Sequence, residues 1–320
     1  MVPPPMHPSP RLPDLYPEAA AQRTWRLPVD GGHALQVREW GPVSGLPALV
    51  LHGGPGSGCS PLLARFFDSA RYRVICMDQR GAGASQPAGC TLHNTTAHLL
   101  ADLRRLREHL GLACWLVVGG SWGATLALLH ALDDPAAVTG LLLRGVFLAR
   151  RQDIAGFFDA AAWARWQPAG ASLVEALDRV MQEGSEAEQA ELVRHWWRWE
   201  QSMDAVASPG PVEPALAPLL QRYRVQAHYL RQGCWLDGSM GLLDRLDRLV
   251  GLPNVPLRLL HGTQDRICPP AGALALQQRW PAAQLQWVDG AGHAPTHPAM
   301  VAAMRTSLDA WAANGSFGGT

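Results

Sequence analysis

Short apolar runs that end in glycine-rich loops recur along this sequence, and segments with helical periodicity separate them. The clearest runs are PALVLHGG, YRVICMDQRG and CWLVVGG, which have the composition of strands buried on both faces. The segment 93–111 after the second run repeats its leucines at helical spacing and ends at Gly111. This alternation predicts an α/β fold in which helices flank a mostly parallel central sheet.

The alternation stops in the middle of the chain. Residues 149–251 show helical patterns only and contain six of the 13 tryptophans. We therefore predict a helical cap domain there, inserted into a catalytic domain built from residues 24–148 and 252–313; an aromatic-rich cap over a sheet edge is a common way to enclose a substrate cavity. Residues 1–23 are crowded with proline and predict an N-terminal arm, and residues 314–320 predict a flexible tail.

Composition excludes several classes of partner and chemistry. Lys+Arg and Asp+Glu each total 27, so we expect neither nucleic acid nor an anionic membrane as a partner. The sequence has no lysine, which excludes Schiff-base chemistry and a Walker-type phosphate loop. No C-x-x-C pair, no apolar run of ~18 residues and no secretory signal is found. We expect a cytoplasmic protein with free thiols, and the oligomeric state is unknown.

A candidate nucleophile lies between an apolar run and a helical segment. Residues 119–123 read Gly-Gly-Ser-Trp-Gly, a G-x-S-x-G pattern. Small neighbours allow such a turn to close tightly and expose the serine oxygen above the sheet. The alternative is a glycine-rich turn with an incidental serine. The flanking strand and helix patterns favour Ser121 as a nucleophile.

A nucleophilic serine needs a base and an acid that orients the base, and both follow the serine in this type of fold. Asp265 follows the apolar run LRLL, and His293 follows the run LQWV. Both are therefore expected at the same sheet edge as Ser121. Asp289 is the second choice for the acid, and Asp78 precedes the serine and is expected to be structural.

The stretch His-Gly-Gly-Pro-Gly at residues 52–56 follows another apolar run. Its small residues let backbone amides approach a substrate, as acyl transfer requires for the developing oxyanion. We predict that the oxyanion hole consists of the amides of Gly54 and Trp122. A phosphate cradle is the competing interpretation, and it fails because no Lys-Ser/Thr follows.

Taken together, these motifs resemble those of the proline iminopeptidase (prolyl aminopeptidase) family of α/β-hydrolases. The stretches that carry the resemblance lie between residues 46 and 147 and include HGGPG, DQRGAGAS, GGSWG and LLRGVF. The resemblance implies an α/β-hydrolase fold and release of an N-terminal proline from peptides with a free N-terminus. It also implies a serine mechanism without metal or cofactor, and it supports Ser121, Asp265 and His293 as the catalytic residues.

In that family, acidic residues of the cap bind the free α-amino group of the substrate. The resemblance assigns one of these positions to Glu200, although a solvated helix face is the alternative. The second position, before an H-Y pair, carries Gln226 here, so one formal negative charge is lost. Possible compensating acids are Asp204, Glu213 and Asp237. The resemblance also makes Phe147 a wall for a small ring, with an ordinary core position as the alternative.

Two other functions stay open from the sequence. An esterase or amidase could use the same machinery on small acyl substrates without recognising an amine, and Gln226 favours that alternative. A binding protein that kept the fold without catalysis is the second alternative. The presence of serine, aspartate and histidine at the expected strand ends argues against it.

Overall fold

The computed structural model describes residues 15–168, 170–204, 213–236, 241–247 and 255–318. Within these ranges, eight strands form one sheet. They are β1 (Arg23–Pro28), β2 (Ala34–Trp40), β3 (Leu46–Leu51), β4 (Tyr72–Met77), β5 (Trp115–Ser121), β6 (Val138–Val146), β7 (Leu257–Gly262) and β8 (Gln284–Val288). Their order across the sheet is β1-β2-β4-β3-β5-β6-β7-β8.

The sheet is mostly parallel, as predicted. Strands β1 and β2 pair antiparallel, β2 also runs antiparallel to β4, and the other neighbours are parallel. Ten α-helices lie in the described ranges. They are α1 (Thr96–His109), α2 (Trp122–Asp133), α3 (Arg151–Phe157), α4 (Ala160–Trp163), α5 (Leu173–Glu183), α6 (Glu186–Met203), α7 (Leu216–Arg231), α8 (Leu242–Asp247), α9 (Ala271–Arg279) and α10 (Pro298–Asn314).

Both faces of the sheet are buried because alternate side chains of each central strand enter different cores. In β5, Trp115 and Val117 join the core that contains α1, α2 and α9. Leu116 and Val118 point the other way and join the core that contains α10. The two-sided burial explains why the strands read as unbroken apolar runs. Because β3 to β8 run parallel, the loops that follow them lie at one edge of the sheet.

The described helices between β6 and β7 are α3 to α8, with no strand among the residues described there, as the sequence predicted. They have a core of their own that is rich in aromatic rings. The ring centroids of Trp163 and Trp196 lie 5.7 Å apart, and Trp196 stacks on Tyr223 at 5.0 Å. We call the segment that contains α3 to α8 the helical layer. Asp237 lies outside the described residues.

The two ends of the described chain pack against the body. Tyr16 donates its hydroxyl to Asp309 at 2.9 Å, and the Trp40 indole donates to the carbonyl of Ala19 at 3.0 Å. At the other end, Phe317 is buried with its ring centroid 4.5 Å from that of Trp311. The tail predicted for residues 314–320 therefore packs against the body as far as Phe317, because the free energy gained by burying this aromatic side chain exceeds the cost of ordering the tail.

Candidate active site

Ser121 stands on a strained turn between β5 and α2. Its backbone angles are φ 57° and ψ −125°, a region that costs energy for a residue with a side chain. The turn closes only because its neighbours are glycines. A Cβ on Gly119 would lie 2.3 Å from the carbonyl oxygen of Gly123, and one on Gly123 would lie 2.1 Å from that of Leu51. The strain lifts the serine side chain off the end of the sheet, as the sequence pattern predicts.

Asp265 and His293 form a hydrogen-bonded pair at the same edge. His293 Nδ1 lies 2.8 Å from Asp265 Oδ2, and Asp265 Oδ1 accepts the backbone amides of Ile267 and Cys268 at 3.0 and 2.8 Å. Burial acts to raise the pKa of Asp265, but His293 and the Cys268 amide outweigh it and hold this pKa below its ordinary value. The carboxylate is therefore ionised near neutral pH and acts as an acceptor only.

The Ser121 hydroxyl contacts Cys268, with 3.7 Å between Oγ and Sγ. Among the described residues it forms no hydrogen bond with His293, although both side chains line one cavity. Burial raises the pKa of the Cys268 thiol well above its ordinary value. The thiol consequently stays protonated near neutral pH and is a poor nucleophile, which leaves the serine as the better candidate.

The other carboxylates considered from the sequence have different surroundings. Asp289 is exposed and accepts the Thr263 hydroxyl at 3.3 Å. Asp78 is buried and accepts the Arg38 guanidinium at 2.7 Å and the Cys59 amide at 2.6 Å. Asp78 thus braces the loops after β3 and β4, in line with the structural role expected for it.

The loop after β3 brings Gly53 and Gly54 to the cavity. A buried glutamine that sequence analysis missed holds this loop. Gln79 donates its amide group to the His52 carbonyl at 2.9 Å and accepts the Trp122 indole at 2.8 Å. The Gln79 backbone amide donates to His52 Nε2 at 3.0 Å. Gln79 thus connects the two stretches that carry the predicted oxyanion donors. Its position directly after β4 is the sequence feature that could have indicated this role.

The end of β6 supports His293 through two further residues that sequence analysis missed. The Arg144 guanidinium donates to the His293 carbonyl. Gly145 adopts φ +53°, and a Cβ there would lie 3.1 Å from Asp265 Oδ2 and from His293 Nδ1. A side chain at position 145 would thus displace the acid–imidazole pair. The sequence feature that could have indicated these two residues is the Arg-Gly pair at the end of an apolar run.

Asp204, at the end of α6, joins the helical layer to the loop after β8. Its Oδ1 accepts the backbone amides of His293 and Ala294 at 2.9 and 3.1 Å. The sequence suggested Asp204 as a substitute for the charge missing at Gln226. The contacts give it a different role, that of holding the histidine loop. Glu213 does not replace the charge missing at Gln226 either, because its carboxylate pairs with Arg194 and Arg198.

The cavity above Ser121 has a volume of about 440 Å³ and extends to the helical layer. Phe147, Glu200 and Gln226 all line it, so the structure brings the three predicted substrate residues to the cavity that contains Ser121. Glu200 is 7 % exposed, which excludes the solvated helix face. Its carboxylate accepts Arg222 at 2.5 Å, the Tyr223 hydroxyl at 3.0 Å and the Gln226 amide at 3.2 Å.

Two other kinds of feature are absent from the described part of the chain. No group of three or more His, Cys, Asp or Glu side chains in the described part of the chain is arranged to hold a metal ion. In the same ranges, no helix combines the length and the apolar character needed to cross a membrane.

Comparison with known proteins places the chain in a family. The family model for the alpha/beta hydrolase fold matches residues 47–297. A proline iminopeptidase from Xanthomonas citri is 36% identical in an alignment of 317 positions that covers 93% of this chain and 99% of the relative. One from Neisseria gonorrhoeae is 35% identical, with 88% and 94% covered. The chain belongs to the proline iminopeptidase family of α/β-hydrolases.

A solved structure agrees at the level of the fold. A proline iminopeptidase-related protein from Thermus thermophilus superposes with a TM-score of 0.59 at 24% identity, covering 91% of this chain and 97% of that one. Membership of the proline iminopeptidase family and the α/β-hydrolase fold, both predicted from the motifs, are therefore confirmed.

The arginine that contacts Glu200 was not singled out from the sequence. Arg222 lies one helical turn before Gln226, and that spacing was the available signal.

Proposed function

We propose that this protein is a serine exopeptidase that releases an N-terminal proline, or a similar small residue, from peptides. One observation carries the proposal: the cavity lined by Ser121 and His293 is also lined by a buried carboxylate, that of Glu200. A reacting carbonyl and the substrate's amino end can therefore be held in one enclosed space. The curated relatives that cover most of the chain are named proline iminopeptidases.

The proposed reaction begins with a proton transfer. Because ionised Asp265 only accepts, His293 Nδ1 carries the proton of their 2.8 Å hydrogen bond, and Nε2 is left to act as a base. The Ser121 hydroxyl turns from Cys268 toward Nε2, loses its proton and attacks the substrate carbonyl. The Gly54 and Trp122 amides stabilise the oxyanion. His293 then protonates the leaving amine, and water hydrolyses the acyl-enzyme.

The helical layer, in this proposal, is a cap domain formed by residues 149–251. It closes the cavity beyond the nucleophile, where Glu200 and Gln226 receive the substrate's amino end and Phe147 contacts its side chain. A closed end with room for one residue restricts cleavage to the N-terminal peptide bond. The enzyme would accordingly act as an exopeptidase and not as an endopeptidase.

Release of 2-naphthylamine from prolyl-2-naphthylamide tests the proposal, with Ser121→Ala and Cys268→Ala as a matched pair. Removing a serine nucleophile of this type lowers kcat by about 10³-fold or more. We expect that loss in Ser121→Ala, whereas Cys268→Ala keeps kcat within about tenfold because the protonated thiol donates nothing essential. Circular dichroism checks that both variants fold. Loss in Cys268→Ala with activity retained in Ser121→Ala would refute the assignment.

An esterase or amidase is the second candidate, and the Arg222 guanidinium 2.5 Å from Glu200 favours it because it offsets the negative charge that an ammonium group needs. Comparing prolyl-2-naphthylamide with an N-acetylproline ester separates the two functions. Preference for the free amine supports the peptidase, and preference for the blocked ester refutes it. Absence of a fluorophosphonate adduct on Ser121 would favour a non-catalytic protein.

A further inference from the structure

The helical layer contains a second cavity beside the one above Ser121. Its volume is about 540 Å³, and residues of α3, α5 and α7 line it. It opens to solvent, because several of its lining residues are exposed, among them Ala155, Gln167, Ser172 and Glu175. We call it the outer cavity, and we call the cavity above Ser121 the inner cavity.

Two residues of the described chain, Ile154 on α3 and Leu230 on α7, line both cavities. Both belong to the aromatic core of the helical layer. Ile154 is 8 % exposed and Leu230 is 7 % exposed, so neither side chain is sealed inside that core. Because both side chains are hydrocarbon, packing alone holds this partition between the inner and the outer cavity.

The faces of α3 show why Ile154 belongs to both cavities. Asp153 and Phe157 are one turn apart and line the inner cavity. Arg151 and Ala155 are also one turn apart and line the outer cavity. Residues four apart share a helix face. Ile154 lies between the two faces, so its side chain separates the two spaces at this point.

Helix α7 continues the partition. Arg222, Gln226 and Leu230 follow one another at intervals of one turn and line the inner cavity. Leu230 is the last of this row, and it lines the outer cavity together with Arg231. Gln226 is proposed to receive the substrate's amino end, and Leu230 lies one turn beyond it. The partition therefore belongs to the side of the inner cavity that the proposed function gives to the acyl group.

We propose, on the basis of the proposed serine hydrolase function, that Ile154 and Leu230 limit the length of the acyl group that the site accepts. An acyl group on Ser121 extends from the nucleophile into the inner cavity and ends at these two side chains. When one of them is truncated, the acyl group continues into the outer cavity, where Phe158 and Leu173 offer apolar contact. The reaction remains a hydrolysis: water adds across the scissile ester or amide and yields the carboxylic acid and the alcohol or amine.

The experiment measures, on the full chain, the ratio of kcat/KM for 4-nitrophenyl octanoate to kcat/KM for 4-nitrophenyl acetate, after subtraction of the rate found with Ser121→Ala. We expect Leu230→Ala to raise this ratio at least about tenfold over its wild-type value, the gain from burying about two more methylene groups of the acyl chain. Ile154→Ala should raise the ratio in the same way. Because the two variants lie on different helices, the test stays decisive if one of them fails to fold.

Two controls separate the partition from a general loosening of the helical layer. Leu219→Ala makes the same truncation on the same helix: Leu219 is 2 % exposed and belongs to the same core, but it is not among the residues that line either cavity. The ratio should therefore not change in this variant. Leu230→Met keeps the volume of the side chain and should keep the wild-type ratio.

The outcomes separate this inference from the proposed function. A ratio that rises in Leu230→Ala or Ile154→Ala and stays at the wild-type value in both controls supports the inference. A ratio that neither alanine variant raises, or a comparable rise in a control, overturns it. Hydrolysis of prolyl-4-nitroanilide tests proline release separately: its absence overturns proline release, while the ester ratios still decide the inference. A wild-type protein that hydrolyses neither ester overturns the inference, and one that hydrolyses neither the esters nor the prolyl substrate overturns both.

Discussion

The side-chain oxygen of Gln79 accepts the Trp122 indole at 2.8 Å, while the amide group of the same side chain donates to the His52 carbonyl at 2.9 Å. The loop after β3 and the first residue of α2 are thereby held at a fixed separation by one buried amide. These are the stretches that carry the proposed oxyanion donors. Oxyanion stabilisation depends on donors that are fixed before the reaction, so we expect Gln79 to be a positioning residue.

Replacing Gln79 with alanine is expected to lower kcat by about 10- to 100-fold with a smaller change in KM, because the donors lose their fixed spacing. Steady-state kinetics with prolyl-4-nitroanilide measures the split. Gln79→Met keeps the length of the side chain without its hydrogen bonds, so it should lose as much kcat as alanine while losing less thermal stability. A kcat that recovers in Gln79→Met together with thermal stability would point to a role in folding alone.

Asp204 provides a second positioning test. Asp204→Ala removes the acceptor of two amides in the histidine loop, and a misplacement of about 1 Å in a catalytic group costs up to about 100-fold in rate. We expect kcat to fall by about tenfold or more. Asp204→Asn keeps a side-chain oxygen and should recover most of the activity. If alanine and asparagine behave alike, the two hydrogen bonds do not position His293.

The glycines of the serine turn should be intolerant of a methyl group. Gly123→Ala would place Cβ 2.1 Å from the Leu51 carbonyl oxygen, and the turn cannot relieve that contact without moving Ser121. We expect loss of activity and a destabilisation of roughly 1–3 kcal/mol, measured by urea unfolding. Gly156→Ala in α3 is the control: nothing lies within 4 Å of its added Cβ, so it should be neutral or stabilising.

His130 predicts a pH dependence of stability. Burial lowers its pKa from 6.5 to about 4, against the weaker opposite effects of Asp134 and Asp133, and its Nε2 accepts the Trp115 indole at 3.1 Å. The unfolded chain takes up this proton at higher pH than the folded chain does. The free energy of unfolding therefore falls as the pH drops below 6.5, with about 3 kcal/mol lost through this group at pH 4.

His130→Gln isolates that contribution, because glutamine keeps an acceptor for the Trp115 indole and does not titrate. Urea unfolding at pH 7 and pH 4 measures the free energy of unfolding for both proteins. The wild-type protein should lose about 3 kcal/mol more than the variant over this range. Parallel losses in the two proteins would show that His130 is not the group responsible.

The sequence was sufficient to predict the fold and to locate the candidate catalytic residues. Parallel strands bring their carboxyl ends to one edge, so the G-x-S-x-G motif and the positions of the apolar runs together assign Ser121, Asp265 and His293 to that edge. The strained turn at Ser121 was equally predictable, because glycine at positions 119 and 123 is what permits it.

The contacts that tune the site could not be predicted in the same way. The pairing of Arg222 with Glu200 joins α6 to α7, and it depends on the rotamers and the rotation of two packed helices. The hydrogen bonds of Asp204 likewise cross from α6 to the loop after β8. Periodicity shows which residues share a face of one element, but not which partner a side chain reaches on another.

The carboxylate at the end of α6 also acts as a mechanical link. Any displacement of that helix away from the sheet must either break the two hydrogen bonds that Asp204 accepts or pull the His293 backbone along with it. The position of α6 and the position of His293, the proposed base, are therefore coupled. A substitution that shifts the end of α6 is accordingly expected to shift the imidazole of His293 as well, even when it lies far from the serine.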